Sequence, residues 1–530
     1  MFDVLIKNGR IVDGTGNPWF KADIGVKDGK IAAISHQLDS EAQTVIDAKG
    51  LVVSPGFIDM HTHSDLRVFK HPDEDAKLMQ GITSALIGQD GLSVAPIDDA
   101  NKKPMMQRIS GLLGTYLAEW HWNTMAEYLD AIDAVKPATN SMMLVPHGAI
   151  RAMALGWENR PATAEELEKM KGFLAQAMEE GGFGFSTGLI YPPGMYADHN
   201  ELVELCKVAA SYGGFFVVHM RNEGDYLEES IKEVTDICLE AGCPLHISHL
   251  KAGGRPNWGK SKVALEMIEQ ARAKGLEVTF DQYPYIAGST MLDAVIPPRF
   301  HTGGTKQLLE SLKDPAVREE IRKVQDNVTP ERWENWIAAC GWDGIMINAV
   351  ESDKNRFAEG KRVTELAAEL NKTPLDVVCD LLIEENDAVT MTVFYGSEDD
   401  VKEIMKSDYM TACSDGIVGG KPHPRVYGTM PRILGKYVRE EKVISLHDAI
   451  KKMTSMPAQR LGLQDRGILR EGSVADITIF DPDTIIDTNS FAEPSQFPVG
   501  IIHVLVSGQL AVQDGKITGV RAGRALRHGH

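Results

Sequence analysis

Two histidines stand one residue apart in Phe57-Ile58-Asp59-Met60-His61-Thr62-His63. On an extended chain, residues i and i+2 point to one face, so both imidazoles project together. The apolar pair Phe57-Ile58 leads into them, which reads as a strand ending in His-x-His. Two neutral imidazoles side by side are good zinc ligands, whereas the same pair in a solvated loop binds nothing. His219 ends the apolar run Phe215 to Val218, and His249 ends Leu245 to Ser248. Alone, each is a packed or capping histidine. Together with His61 and His63 they make four candidate ligands on one rim. His246 stands three residues before His249 and so points to the other side of its strand, as a structural residue. Two carboxylates complete the set. Asp415 follows Met410 to Ser414, and Asp90 lies in Leu86-Ile87-Gly88-Gln89-Asp90-Gly91. Each could be a simple Asp-Gly turn. On a metal rim, Asp415 can both bind metal and take a proton from activated water, and Asp90 can bridge two cations.

A rim needs a frame. From about residue 56 to 455, short apolar runs alternate with stretches whose apolar residues recur at helical spacing. The runs include 84–87, 142–145, 215–218, 245–248, 276–280 and 388–394, and the helical stretches include 164–178 and 261–274. Repeated strand-helix units imply a parallel sheet, and about eight of them favour a closed (β/α)8, TIM-like barrel whose strand C-termini carry the active site. An open doubly wound sheet is the alternative. No Gly-x-Gly-x-x-Gly follows the first strand, which disfavours its dinucleotide-binding form. Both ends of the chain are β-rich instead. Asn8-Gly9, Asp13-Gly14 and Asp28-Gly29 are hairpin signals, and Asp514-Gly515-Lys516-Ile517 echoes Asp28-Gly29-Lys30-Ile31. Residues 1–55 and 466–530 are therefore expected to form one small β-sandwich domain, beside a barrel over 56–465. A charged, tryptophan-bearing stretch at about 291–345 is too long for a strand-helix loop and reads as a helical insertion over one barrel mouth.

Composition bounds the function. The chain has 530 residues, with 55 Lys plus Arg against 75 Asp plus Glu, a net charge of −20. That surface repels nucleic acid but allows a local cationic pocket. No apolar run approaches about 18 residues, so no membrane span is expected. The start of the chain reads as a strand rather than a signal peptide, and six scattered cysteines make no disulfide framework. A reduced, cytoplasmic protein is expected.

The segments around these residues resemble the amidohydrolase superfamily and, within it, the N-acyl-D-amino-acid deacylases (D-aminoacylases). The likeness runs nearly end to end. It includes Pro55 to Asp65, Gly81 to Pro96, Gly184-Phe185-Ser186-Thr187-Gly188-Leu189-Ile190-Tyr191-Pro192 and Ser248-His249-Leu250-Lys251. It continues through Asp281-Gln282-Tyr283-Pro284-Tyr285, His423-Pro424-Arg425, Gly428 to Arg432 and Gly472 to Asp476. The resemblance implies that His219 and His249 belong to a tightly held metal site. It places His61, His63 and Asp415 at a second site, with Asp415 as general acid/base. It also implies that Lys251, Tyr283 and Arg425 hold a substrate carboxylate, a task suited to bidentate arginine. The family pattern carries cysteine, typically Asn-Cys-Gly, where this chain has Gln89-Asp90-Gly91. A ligand set of Asp90, His219 and His249 follows, with one or two zinc ions or another divalent metal, since a carboxylate is harder than a thiolate and bridges more readily. No lysine stands at a strand end between His63 and His219 to serve as a carboxylated bridge.

The implied activity is metal-dependent hydrolysis of N-acyl amino acids, D-amino acids favoured. A dipeptidase or L-specific hydrolase on the same scaffold, and a cyclic-amide hydrolase of the dihydropyrimidinase or hydantoinase type, are the same-class alternatives. A scaffold that has lost its chemistry conflicts with the full set of rim ligands. The implied partner is a small molecule carrying a carboxylate, and barrels of this sort often form homo-oligomers.

Overall fold

The computed structural model describes residues 1–115, 120–325 and 333–529. Eight parallel strands form the barrel: 57–59, 82–87, 140–146, 184–188, 215–219, 245–247, 278–282 and 410–412. The first three pair in sequence, and 145–146 pairs onward through 184–188 to 410–412. The ring closes where Thr62 bridges Gly416 in parallel and the Asp415 amide donates to the His61 carbonyl at 2.7 Å. Buried on both faces, such strands read as continuous apolar runs. In Phe215–His219, Phe215 and Val217 pack with Ile58, Leu86 and Met142, while Phe216 and Val218 join the larger core shared with the helices. His219 shares the parity of Phe215 and Val217, so it closes the inner row of that strand.

The intervening helices carry their own punctuation. Thr163 and Glu166 form a reciprocal capping box at the start of Ala164–Glu179, and Gly242, at φ +65, ends Leu227–Ala241 in the left-handed conformation.

Nine strands from the two termini form one sheet. Val52–Pro55 joins the halves by pairing antiparallel with Ile477–Phe480. The first strand, Phe2–Ile11, pairs in parallel with residues 42–47 near its start and with 52–53 at its end. This fork lets the sheet wrap a core of its own, which includes Ile6, Ile24, Val53, Ile477 and Leu505. The last residues leave the sheet and return to the barrel. The Leu526 amide donates to the Ser141 carbonyl at 2.8 Å, and Arg527 pairs with Asp133 at 3.0 Å.

One apolar run has a different place from that expected of it. Val389–Phe394 is not a barrel strand. It pairs antiparallel with Ala287–Met291 and Ile345–Val350 in a separate three-stranded sheet. The three-stranded sheet thus belongs to an excursion between the seventh and eighth barrel strands. The excursion also contains helices Thr305–Ser311, Pro315–Gln325 and Trp336–Cys340. Residues 326–332 of the expected insertion lie outside the described residues.

Candidate active site

A strand end places His219, and left-handed turns place three other groups of the rim. Asp90 (φ +56), His249 (φ +33) and Asp415 (φ +47) all adopt a conformation that non-glycine residues take only when their surroundings hold them there. Gly88, at φ +79, opens the turn that carries Asp90; a Cβ there would lie 2.5 Å from the Leu144 carbonyl oxygen. Asp59 ties the first and eighth strands together. It accepts from the amides of His61 (3.2 Å) and Ser414 (2.8 Å), and burial lifts its carboxyl to about 6 against the pull of those donors.

The six rim groups meet. His61 Nε2 and His63 Nε2 are 3.3 Å apart. Asp90 Oδ2 lies 3.5 Å from His63 Nε2, and Asp415 Oδ1 lies 3.3 Å from the same nitrogen and 3.6 Å from His61 Nε2. His219 Nδ1 and His249 Nε2 approach to 2.9 Å. Asp90 with His61 and His63, Asp90 with His219 and His249, and Asp415 with His61 and His249 each form a compact triad of buried donor atoms. Asp90 is common to two of these triads, the geometry of a bridge.

The donor chemistry fits divalent cations. His61 Nδ1, His63 Nδ1, His219 Nε2 and Asp90 Oδ1 are buried without hydrogen-bond partners among the described residues. Burial alone would pull the His61 imidazole down, but Asp415 and Asp90 outweigh it and hold it up at about 9. A buried cluster of imidazoles and carboxylates favours a divalent cation, which replaces the imidazole protons. The second to fourth barrel strands, 82–87, 140–146 and 184–188, contain no lysine to bridge metals as a carbamate.

Opposite the histidines lies Arg425, fully buried on helix Arg425–Arg432. Its Nη1 is 2.8 Å from Asp415 Oδ2, Nη2 donates to the Ser289 carbonyl at 3.0 Å, and Nε has no partner among the described residues. Its guanidinium lies 4.4 Å over the Tyr283 ring, and the Tyr283 hydroxyl meets the Tyr395 hydroxyl at 2.6 Å. Burial pushes the Asp415 carboxyl up, yet Arg425 and His61 prevail and keep it well below the usual carboxylate range. Lys251 joins the same pocket, but its Nζ turns inward to Glu223 Oε2 at 2.5 Å.

Three groups were missed in the sequence. Glu223, Glu334 and Tyr395 all line this region. Glu223 follows His219 in Met220-Arg221-Asn222-Glu223, with no periodicity to mark it. Glu334 comes from the excursion, with nothing local to tie it to His219. His246 is structural, as expected, but not by pointing away. It packs against Phe215 of the barrel interior and donates from Nε2 to Asp281 Oδ2 (2.9 Å), while Asp281 Oδ1 accepts from the His249 amide. The strand ends at Ile247 and the turn at His249 breaks the simple alternation.

With this geometry in place, comparison with known proteins is direct. Residues 44–512 match the amidohydrolase family. The chain is 35% identical to a D-aminoacylase of Alcaligenes xylosoxydans xylosoxydans over 99% of this chain and 97% of that one. It is also 35% identical to an N-acyl-D-glutamate deacylase of the same organism, over 99% and 96%. A crystal structure of N-acyl-D-glutamate deacylase from Bordetella bronchiseptica, complexed with zinc and a phosphonate mimic of the reaction's tetrahedral intermediate, superposes with a TM-score of 0.82 at 33% identity, covering 99% of both chains.

Proposed function

The chain belongs to the amidohydrolase family, and from that membership and the geometry of its rim we propose that it hydrolyses the amide bond of N-acyl-D-amino acids to a carboxylate and a free D-amino acid. The observation that carries this reading is the meeting of four histidines and two aspartates opposite a buried arginine with a free donor. Asp90, His219 and His249 would hold one zinc ion, and His61, His63 and Asp415, with Asp90 between, a second. When bound, zinc activates water and polarises the amide carbonyl as a Lewis acid.

The remaining work falls to the chain itself. Arg425 offers Nε to the substrate carboxylate, with Tyr283 beneath the guanidinium and Lys251 beside it. The scissile amide is thereby aimed at the histidine rim. Asp415 takes the proton from water and returns it to the departing amine. In the free enzyme Arg425 pairs with Asp415. A substrate carboxylate competes for that guanidinium, so binding makes Asp415 more basic as the proton must move.

Linear substrates fit this arrangement better than hydantoins or dihydropyrimidines, which present no free α-carboxylate to Arg425. The six free cysteines, five of them buried, fit a reducing compartment, and the proposal places the enzyme in the cytoplasm. Among the described residues no helix is long and apolar enough to cross a membrane. Paired N-acetyl-D- and N-acetyl-L-amino acids, D,L-dipeptides and hydantoin, assayed on the zinc-loaded enzyme, test the proposal. Preferential turnover of the N-acetyl-D series is expected, and a preference for hydantoin or the L series overturns it.

A further inference from the structure

An imidazole that binds a metal through one nitrogen must carry its proton on the other, and an acceptor must hold that proton. In the triad of Asp90, His219 and His249 the two rings approach through His219 Nδ1 and His249 Nε2. His219 Nε2 and His249 Nδ1 are therefore the outer nitrogens. One carboxylate faces both: Glu223 Oε1 is within hydrogen-bond distance of His249 Nδ1 at 3.1 Å, and Glu223 Oε2 stands 3.6 Å from His219 Nε2, near enough for charge attraction but not for a hydrogen bond. Glu334 adds a second acceptor. Its Oε2 is 3.9 Å from His219 Nε2, and its Oε1 accepts from the Glu223 amide at 3.2 Å.

Lys251 sets up a contest here. Its Nζ lies 2.6 Å from His249 Nδ1 as well as 2.5 Å from Glu223 Oε2. An ammonium donating to Nδ1 would fix the imidazole proton on Nε2, the nitrogen that the metal needs bare. Glu223 faces both donors and can accept from each. It is fully buried, and its own carbonyl accepts from the Gly253 amide at 2.7 Å, so its position is fixed.

We propose that Glu223, backed by Glu334 of the excursion, is the positioning residue that holds His249, and through it the His219–His249 pair, in the tautomers a metal site requires, by offering one oxygen to His249 Nδ1 and the other to the Lys251 ammonium that competes for that nitrogen. This rests on the metal site read above, but its test needs no substrate. A glutamine at 223 keeps the shape with a single acceptor oxygen, so it can serve one donor but not both. An aspartate keeps both acceptors on a shorter stem.

Zinc affinity of the purified full-length chain, measured by competition with a chromophoric chelator, reads the effect directly. Glu223→Gln is expected to weaken the tighter zinc about 10–100-fold, with an unchanged far-UV circular dichroism spectrum. Glu223→Asp should lose less, and Glu334→Gln less again. Lys251→Met in the Glu223→Gln background should recover part of the affinity, which a merely structural role would not produce. If Glu223→Gln does not fold, Glu223→Asp, alone and with Lys251→Met, carries the same comparison. Wild-type zinc affinity in the folded Glu223 variant, or no recovery on removing the ammonium, overturns the proposal. Failure of the deacylase assay with these affinities as expected would instead overturn the substrate reading alone.

Discussion

Asp90 sets the chemistry of this rim. A thiolate suits one zinc; a carboxylate offers two oxygens, and here one residue reaches both histidine pairs. Asp90→Ala should therefore lower metal content at both positions, measured by elemental analysis of protein dialysed against trace zinc. Full retention of metal would remove Asp90 from the ligand set. Asp415 has a separable task. Its carboxylate sits between His61, His63 and Arg425, so Asp415→Asn keeps the shape while removing the proton acceptor. Turnover should fall by about 10²–10⁴-fold with at least one equivalent of zinc still bound. A variant with near-normal kcat would assign the proton transfer elsewhere.

At the scale of elements, the site depends on how strands stop. Gly88 turns the second barrel strand into Asp90 with a positive φ, and its missing Cβ leaves room for the Leu144 carbonyl. Gly88→Ala should cost about 1–3 kcal/mol and displace Asp90, seen as a lower Tm together with lost zinc. An unchanged Tm with full metal content would contradict this account of the turn. The same strand ends explain what could be read in advance. His-x-His after Phe57-Ile58, and His219 at the foot of four apolar residues, declare themselves because a strand's alternation fixes where its last side chain points. Helix Ala164–Glu179 was equally legible from its spacing. Val389–Phe394 misled because a β-branched run looks alike in a barrel and in an antiparallel sheet; only its pairing partners tell them apart. Glu223 and Glu334 were invisible for a related reason. They are held by contacts across 111 residues of chain, and no local pattern encodes an approach of that kind.

For the molecule as a whole, the rim's charge links metal binding, protonation and stability. His61 is held at about 9, above its ordinary 6.5, by Asp415 and Asp90 against burial. In the metal-free protein its contribution to stability is thus complete below about 6.5 and disappears as pH rises through 9. Zinc requires the neutral ring, so its stabilisation runs the opposite way and grows across that window. The difference in Tm between zinc-buffered and metal-free protein should widen from pH 6.5 to 9, measured by calorimetry at fixed free zinc. A gap that narrows with rising pH would show that His61 does not release a proton to the metal.

The forked sheet has a consequence for how the chain is made. Ser54 bonds to Thr478, 424 residues later, so the N-terminal strands meet their partners only near the end of synthesis. At about 5–20 residues per second that interval is about 20–85 s. Through it, the unpaired edge of Val52–Pro55 and the apolar face around Ile6 and Ile24 must be kept from other chains. A ribosome-bound fragment ending before residue 477 is thus the form of this protein most in need of a chaperone.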